Sequence, residues 1–510
     1  MKSRRIENGM KYAAVTSLFG IIAAVLGMVR LQLFLTNYGS AINGIYQLFV
    51  QLTSYLSLMD FGFGAIVTHY MYKYSAENNR YEICRLFNGA KKMAFRVFYS
   101  MLLILICISV LIPFLSKELN NDYLYSFVFI LFCFPITLKQ LFSPFKSIMD
   151  SNQQSHEYEF IEKVSLNCRL LISIFLMNYI NFFQLILFEC FIETIFWLIE
   201  YNFLKIKNQK YISLTKDSNE ETFVQSKHLV INRLSGLAIA NTDNLIISSM
   251  KSFSQLSVFT TYNYVNNTIL SIISPIIYGF TNGFGNLFIS NDGNEKNIIN
   301  TFTKIVMMIG LFLSINVIIG IQPFINLFTR NLETSYHVND FEIFIIGSYL
   351  FYVIYAIPFA IFVNVKARFK QINAGLVLEA ICNVMLSIFL INEIGIFGAL
   401  LGTVLAKVFI SFPNYYIAQS DERCSWEKIL LAYTPLILGF LIIFTIQSNL
   451  ELISIVYLPW SSYINWVFNM LLTSLIIIII FIPFILLDKH LNVFFRDLII
   501  NFVNLIFKKK

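Results

Sequence analysis

Charge is scarce in this chain. Asp, Glu, Lys and Arg make up 13% of its 510 residues, about half the share of an ordinary soluble globular protein. Too few charges are present to clothe a water-soluble surface of this size, and 57% of the residues are apolar. Cysteine is also sparse: Cys84, Cys107, Cys133, Cys168, Cys190, Cys382 and Cys424 form no C-x-x-C pair. That spacing excludes a zinc ribbon, and their positions in apolar runs or cation-rich gaps argue against disulfides. A Walker loop, a G-x-G-x-x-G turn after a strand, an H-E-x-x-H helix and a nucleophile elbow are all missing. No cofactor, no metal and no ATP-driven step within the chain are therefore expected. Nor is any gap between apolar runs long enough to fold as a catalytic domain, so the chain does not read as an enzyme.

What it has instead is about fourteen apolar stretches, most of them near the roughly 20 residues that a helix needs to cross a bilayer. They run Tyr12 to Leu35, Ile42 to Met71, Met93 to Leu115, Tyr123 to Met149, Val164 to Tyr179, Phe182 to Phe203 and Leu229 to Met250. The second half continues Leu256 to Phe288, Phe302 to Ile321, Phe341 to Val365, Ile372 to Leu390, Ile394 to Ile417, Ile429 to Ile446 and Trp466 to Leu487. The expected fold is all-α and polytopic.

Lys and Arg collect in every second gap. One set holds Lys2, Arg4, Arg5 and Lys11, then Arg80, Arg85, Lys91 and Lys92, then Lys205, Lys207, Lys210, Lys216 and Lys227. Lys366, Arg368 and Lys370 and the final Lys508, Lys509 and Lys510 extend it, whereas the opposite gaps hold only Lys117, Lys251 and Arg330. Cationic loops stay in the cytoplasm, which puts both termini there. The net charge of +7 is thereby a matter of topology and gives no sign of nucleic-acid binding. The first apolar run is too long for a cleavable leader and lacks its small-x-small site, so it is expected to stay as the first span.

The polar stretch 204–228 near the midpoint reads as a linker between an N-terminal lobe of six spans, 1–203, and a C-terminal lobe of six, 229–418. Residues 419–488 add two further spans. In the tail, 489–510, Leu491, Phe494, Leu498, Phe502 and Leu505 share one helical face ahead of the terminal lysines, the pattern of an interfacial helix on an anionic leaflet.

Ionisable residues at bilayer depth are costly, by about 2.5–3.5 kcal/mol on insertion scales, and mark working interiors. Arg30 lies in the first span beside the small residues Ser17, Gly20, Ala24 and Gly27, which suit close packing or an open lumen alike. The second span carries Gln47, Gln51, Ser54, Ser57 and Asp60 as one polar stripe that lipid would not tolerate. Arg233, Asn241, Asp243 and Asn244 repeat the theme in the seventh span. The eighth is polar through Thr260, Thr261, Tyr262, Asn263, Asn266, Asn267 and Thr268, groups that suit either a hydroxylated ligand or interhelical hydrogen bonds. Lys139, Glu189, Glu193, Glu379 and Lys407 are also at depth. Glu189 and Glu193, four residues apart, are expected in structural ion pairs; Lys146, Arg169 and Glu200, near span ends, are expected to snorkel without function. Pro135, Pro144, Pro275, Pro358, Pro413, Pro435 and Pro483 favour kinks.

The runs Asn37-Tyr38-Gly39 with Gly44-Ile45-Tyr46-Gln47, Met59-Asp60-Phe61-Gly62-Phe63-Gly64, and Asn241-Thr242-Asp243-Asn244 with Val258-Phe259 resemble signature stretches of bacterial polysaccharide flippases. These are the O-antigen and capsule repeat-unit translocases of the multidrug/oligosaccharidyl-lipid/polysaccharide exporter superfamily. The turn at Asn37-Tyr38-Gly39-Ser40 departs from the Leu-Gly more usual there. The resemblance implies a two-lobed, MATE-like carrier with two added C-terminal helices. It implies a cargo of undecaprenyl-pyrophosphate-linked oligosaccharide, moved from the inner to the outer leaflet of the bacterial cytoplasmic membrane by alternating access. Membrane lipids are the expected surroundings. Candidate cavity residues are then Arg30, Gln47, Gln51, Asp60, Lys139, Arg233, Asp243, Asn263, Asn267 and Lys407, with Asp60 and Asp243 as candidates for coupling to H⁺ or Na⁺. A lipid II or drug exporter of the same superfamily is the nearest alternative; a membrane-embedded glycosyltransferase or polymerase is one of another class.

Overall fold

Helices make up all the regular structure among the described residues. The computed structural model describes residues 2–57, 63–115, 123–212, 217, 242–279, 295–419, 426–450, 457–493 and 496, less positions 78, 153, 333 and 367. They fall into two compact units, Met1–Thr260 and Thr261–Lys510.

The first unit opens with α1, Lys2–Ser57, interrupted at Gly39 by φ 81° and ψ 171°. Only glycine takes such a backbone without strain. On an unbroken helix Arg30 and Tyr46 would stand about 24 Å apart, yet the Arg30 guanidinium lies 4.7 Å from the centre of the Tyr46 ring. The chain therefore reverses at Gly39, and α1 is a hairpin of two arms, as expected for the first two spans. The second span was expected to continue to Met71; helix is described to Ser57 and again in α2, Phe63–Ala76, and residues 58–62 lie outside the described residues.

Next come α3, Arg80–Leu115, α4, Leu124–Lys139, and α5, Ser143–Ser151, the last two joined by a 3-10 turn, Gln140–Phe142. Pro144 sits in the first turn of α5, where its missing N–H costs nothing. Then follow α6, Ser155–Leu176, α7, Phe182–Lys207, the short α8, Gln209–Ile212, and a helical stretch at 242–250, here α9. Asn181 and Gln184 cap the start of α7 reciprocally, each side chain accepting the other's backbone N–H. A stack of Phe142, Trp197 and Tyr201 sits in this unit's core, with centroids 5.3 Å apart for Phe142 and Trp197 and 5.5 Å for Trp197 and Tyr201.

Helix α10, Phe253–Tyr278, carries the chain into the second unit. There α11, Glu295–Phe328, α12, Asp340–Val365, α13, Phe369–Ile394, α14, Gly398–Ala406, a π-helical segment, Lys407–Ser411, α15, Phe412–Gln419, α16, Trp426–Ser448, and α17, Tyr463–Leu487, follow in order. The ninth span was expected to end at Ile321, but α11 runs on through Pro323 to Phe328. Of the apolar windows, that of α12 is 72% buried and that of α17 only 11%. Thus α12 is central to this unit, and α17 presents an apolar face to its surroundings.

Ten helices among the described residues are long and apolar enough to cross a membrane. The first of these, Leu18–Leu56, contains both arms of the hairpin. Two expected spans fall short for a physical reason: α6 and α10 are 22 and 26 residues long but too polar. The expected seventh span enters the described residues only at 242. Of the tail, helix is described at 489–493, with Leu491 buried. The Asp488 carboxylate caps it, accepting from the backbone of Leu491 at 3.1 Å and pairing with Lys304 of α11. Phe494, Leu498, Phe502 and Leu505 lie outside the described side chains.

Candidate functional site

Arg30 projects from the first arm of α1 into a buried cluster with α6 and α7. Its Nη2 donates to Glu189 Oε1 at 2.7 Å and its Nε to Ser173 Oγ at 3.3 Å. Ser173 in turn donates to Glu189. The guanidinium lies over Tyr46 at 4.7 Å and beside Phe34 at 5.4 Å, so cation and ring from opposite arms hold the hairpin closed. Glu193, one turn after Glu189, pairs with Arg169 of α6.

These carboxylates were expected in structural pairs, and that is where they are. Arg169 was expected to snorkel; it is drawn inward because Glu193 faces α6. The same correction applies to Lys146 and Glu200, which pair at 2.9 Å, with Glu162 as a second partner of the lysine. A carboxylate 3% exposed demands a cation more strongly than the nearby span end attracts one.

The polar stripe of the second arm behaves differently. Gln51 Oε1 accepts from Asn244 of α9 at 2.9 Å, and Asn43 donates to Ser257 of α10 at 2.8 Å. Ser54 turns back to the carbonyl of Gln51 at 2.7 Å, and Gln47 is partly exposed. Asp243 is buried within electrostatic reach of Tyr55. Tyr46 and Tyr55 are separated by about 13 Å along the arm, so the Arg30 cluster and the Asp243 cluster are distinct. Asp60, Arg233, Asn241 and the side chain of Ser57 lie outside the described residues.

In the second unit Lys407 donates to Glu379 Oε1 at 3.1 Å, and Glu379 is 1% exposed. One turn along α13, Asn383 Oδ1 accepts from Thr403 at 2.9 Å. On α10, Tyr262 donates to Gln322 at 2.7 Å and Asn266 to the carbonyl of Ile346 at 3.3 Å. Asn263 Oδ1 is buried without a hydrogen-bond partner among the described residues, and Asn267 is exposed. Interhelical bonding thus takes up Tyr262 and the Nδ2 of Asn266, whose Oδ1, like that of Asn263, is buried without a hydrogen-bond partner among the described residues. Lys139, partly exposed at the end of α4, has no hydrogen bond or ion pair among the described residues.

The partners Ser173 and Asn383 were not singled out from the sequence, and Glu379 was named there without its partner. The available signal was a complementary charge at similar depth in another span, and it does not name the pair. Among the described residues no group of His, Cys, Asp and Glu is arranged to hold a metal ion.

No protein-family model and no curated protein matches the sequence. Solved structures do match in fold. A lipid II flippase, MurJ, in an inward closed conformation aligns over 92% of this chain and 99% of its own, at 15% identity and a TM-score of 0.57. An inward-facing multidrug resistance MATE family transporter of the MOP superfamily aligns over 87% and 98%, at 10% identity and a TM-score of 0.60. A MATE structure in a bent conformation aligns over 88% and 98%, at 11% identity and a TM-score of 0.52. The chain is an all-α, multi-pass membrane protein with the transporter fold that these structures share.

Proposed function

We propose that this chain is a flippase. It moves an undecaprenyl-pyrophosphate-linked oligosaccharide from the inner to the outer leaflet of a bacterial cytoplasmic membrane, for surface polysaccharide synthesis, with both its termini in the cytoplasm. The observation that carries the reading is the extent of the likeness to a lipid II flippase, over 92% of this chain and so into its C-terminal pair of helices. In this reading 1–203 and 229–418 are the two lobes, 204–228 links them, and 419–488 adds a surface for the prenyl chain.

A pyrophosphate needs cations in a setting that excludes lipid. Arg30 and Lys407 are each committed to a carboxylate, which makes Lys139 the first candidate for the phosphates among the described residues; Arg233 is a second candidate on sequence grounds. Gln47, Gln51, Asn263 and Asn267 supply amides for sugar hydroxyls. Asp60 and Asp243 are the candidates for coupling to H⁺ or Na⁺. A lipid II cargo is the second reading, favoured by that same structural likeness.

Deleting the gene separates the two. Complete repeat units accumulating on the inner leaflet, with peptidoglycan synthesis intact, support the proposal; accumulation of lipid II instead supports the second reading. Incomplete units would point to a transferase and sink both.

A further inference from the structure

One turn of the second unit breaks the helical rule. At Lys407–Ser411 the ladder widens, and the N–H of Phe412 donates to the carbonyl of Lys407, five residues back. Pro413 explains why the turn sits here. It has no N–H for the carbonyl of Phe409, and in a regular helix its ring would collide with that carbonyl. In the widened ladder the Val408 carbonyl falls five residues before Pro413, which offers it no N–H, and two phenols donate into the turn: Tyr433 of α16 to that Val408 carbonyl at 2.8 Å and Tyr352 of α12, as a second donor, to the Lys407 carbonyl at 2.9 Å.

The two sides of the turn are held unequally. On α14, a Cβ at Gly398 would lie 2.3 Å from the carbonyl oxygen of Leu390, and one at Gly402 would lie 2.8 Å from the amide nitrogen of Ser387. Backbone against backbone leaves that arm no room to turn. On α15 two of the polar ties are single side-chain bonds, Asn414 to the Ile372 carbonyl at 2.9 Å and Arg368 to the Ala418 carbonyl at 2.9 Å. Such bonds can be remade elsewhere.

We infer that the π-turn at 407–411 is a hinge, held open by the hydroxyls of Tyr352 and Tyr433, and that transport requires it to close. Closing it exchanges the wide turn for a proline kink at Pro413 and turns α15 by one residue, about 100° with a 1.5 Å shift, against a fixed α14. Through Tyr433, the first helix of the C-terminal pair sets the hinge. The inference rests on the transport reading above, but the turn can be followed without cargo.

The test uses spin labels at Leu378→Cys on α13 and Ile417→Cys on α15, both exposed positions, in the full chain in lipid nanodiscs with its seven native cysteines replaced. Wild type is expected to show two distance populations. Deleting Phe409, whose side chain is 67% exposed, together with Pro413→Ala gives a regular helix with a donor at every position. This variant is expected to show one population and at least a tenfold loss in flipping of a fluorescent undecaprenyl-pyrophosphoryl disaccharide. Tyr433→Phe, which keeps the ring, is expected to enrich the same population at least threefold. A single wild-type population, or wild-type flipping by the deletion variant, overturns the hinge. Two populations in a wild-type chain that moves none of the probe would support the hinge and count against the flippase reading.

Discussion

Gly44 leaves no room for a side chain against Phe253. A Cβ built at Gly44 would lie 2.1 Å from the Phe253 carbonyl oxygen and 2.8 Å from its Cβ, and backbone cannot swing aside as a flexible side chain would. The second arm of α1 thus touches the start of α10 main chain to main chain, with the Asn43 to Ser257 bond of 2.8 Å beside it. Gly44→Val is expected to force the two apart at a cost of about 1–3 kcal/mol. A disulfide engineered from Asn43→Cys and Ser257→Cys should form readily with Gly44 in place and several times less in the Val variant. Equal yields would refute the contact.

The Arg30 cluster predicts that loss of either partner damages the protein before it damages transport. Glu189→Ala leaves a guanidinium uncompensated, which costs about 3–5 kcal/mol for a buried pair broken on one side. Protein abundance and melting temperature should both fall. The apolar pair Arg30→Met with Glu189→Leu should recover most of the loss. Abundance unchanged in Glu189→Ala would mean that water reaches the cluster.

Two glycines separate a contact that can yield from one that cannot. At Gly375 the added Cβ would lie 2.1 Å from Nδ2 of Asn414, the end of a side chain that can rotate at the cost of one hydrogen bond, about 1 kcal/mol. At Gly398 it meets the Leu390 carbonyl at 2.3 Å. Gly375→Ala should therefore melt close to wild type and Gly398→Ala well below it. The reverse order in thermal unfolding would contradict the packing.

The Lys304 ammonium, hydrogen-bonded to Asp488, holds that carboxyl below the usual carboxylate range. A depressed value means that the charged form is favoured by folding. The tether is fully present above the ordinary carboxylate pKa of about 3.9 and is lost as pH falls through the lowered value. Hydrogen exchange at 489–493, corrected for intrinsic rates, should be protected at neutral pH and lose protection only in that acidic range. Lys304→Met should move the loss to higher pH.

Much of this architecture was legible in the sequence because lipid imposes a simple rule on composition. Arg30, Glu189, Glu193, Glu379 and Lys407 stood out as ionisable groups in apolar runs, and all five are in ion pairs. Gly39 fell in a gap between two runs and is the point of reversal. Partner choice was not legible: nothing local in the sequence links Arg30 to Glu189 rather than to Glu193. Arg169 and Lys146 were misjudged because distance to a span end was taken as access to water, whereas neighbouring helices decide burial. The π-turn hides for another reason. One extra residue in a mostly apolar helix shifts no visible pattern, and only Pro413, four residues after Phe409, hinted at it.

The separation of 159 positions between Arg30 and Glu189 also sets a problem of timing. During synthesis the first hairpin reaches the membrane long before α7 exists, with a guanidinium that no carboxylate yet answers. Until α7 arrives, that hairpin is a poor lodger in lipid, held back near the insertion machinery or shielded by it. Shortfalls in biogenesis, such as slowed elongation between α1 and α7, should therefore expose this protein to membrane quality control sooner than a neighbour whose early helices are wholly apolar.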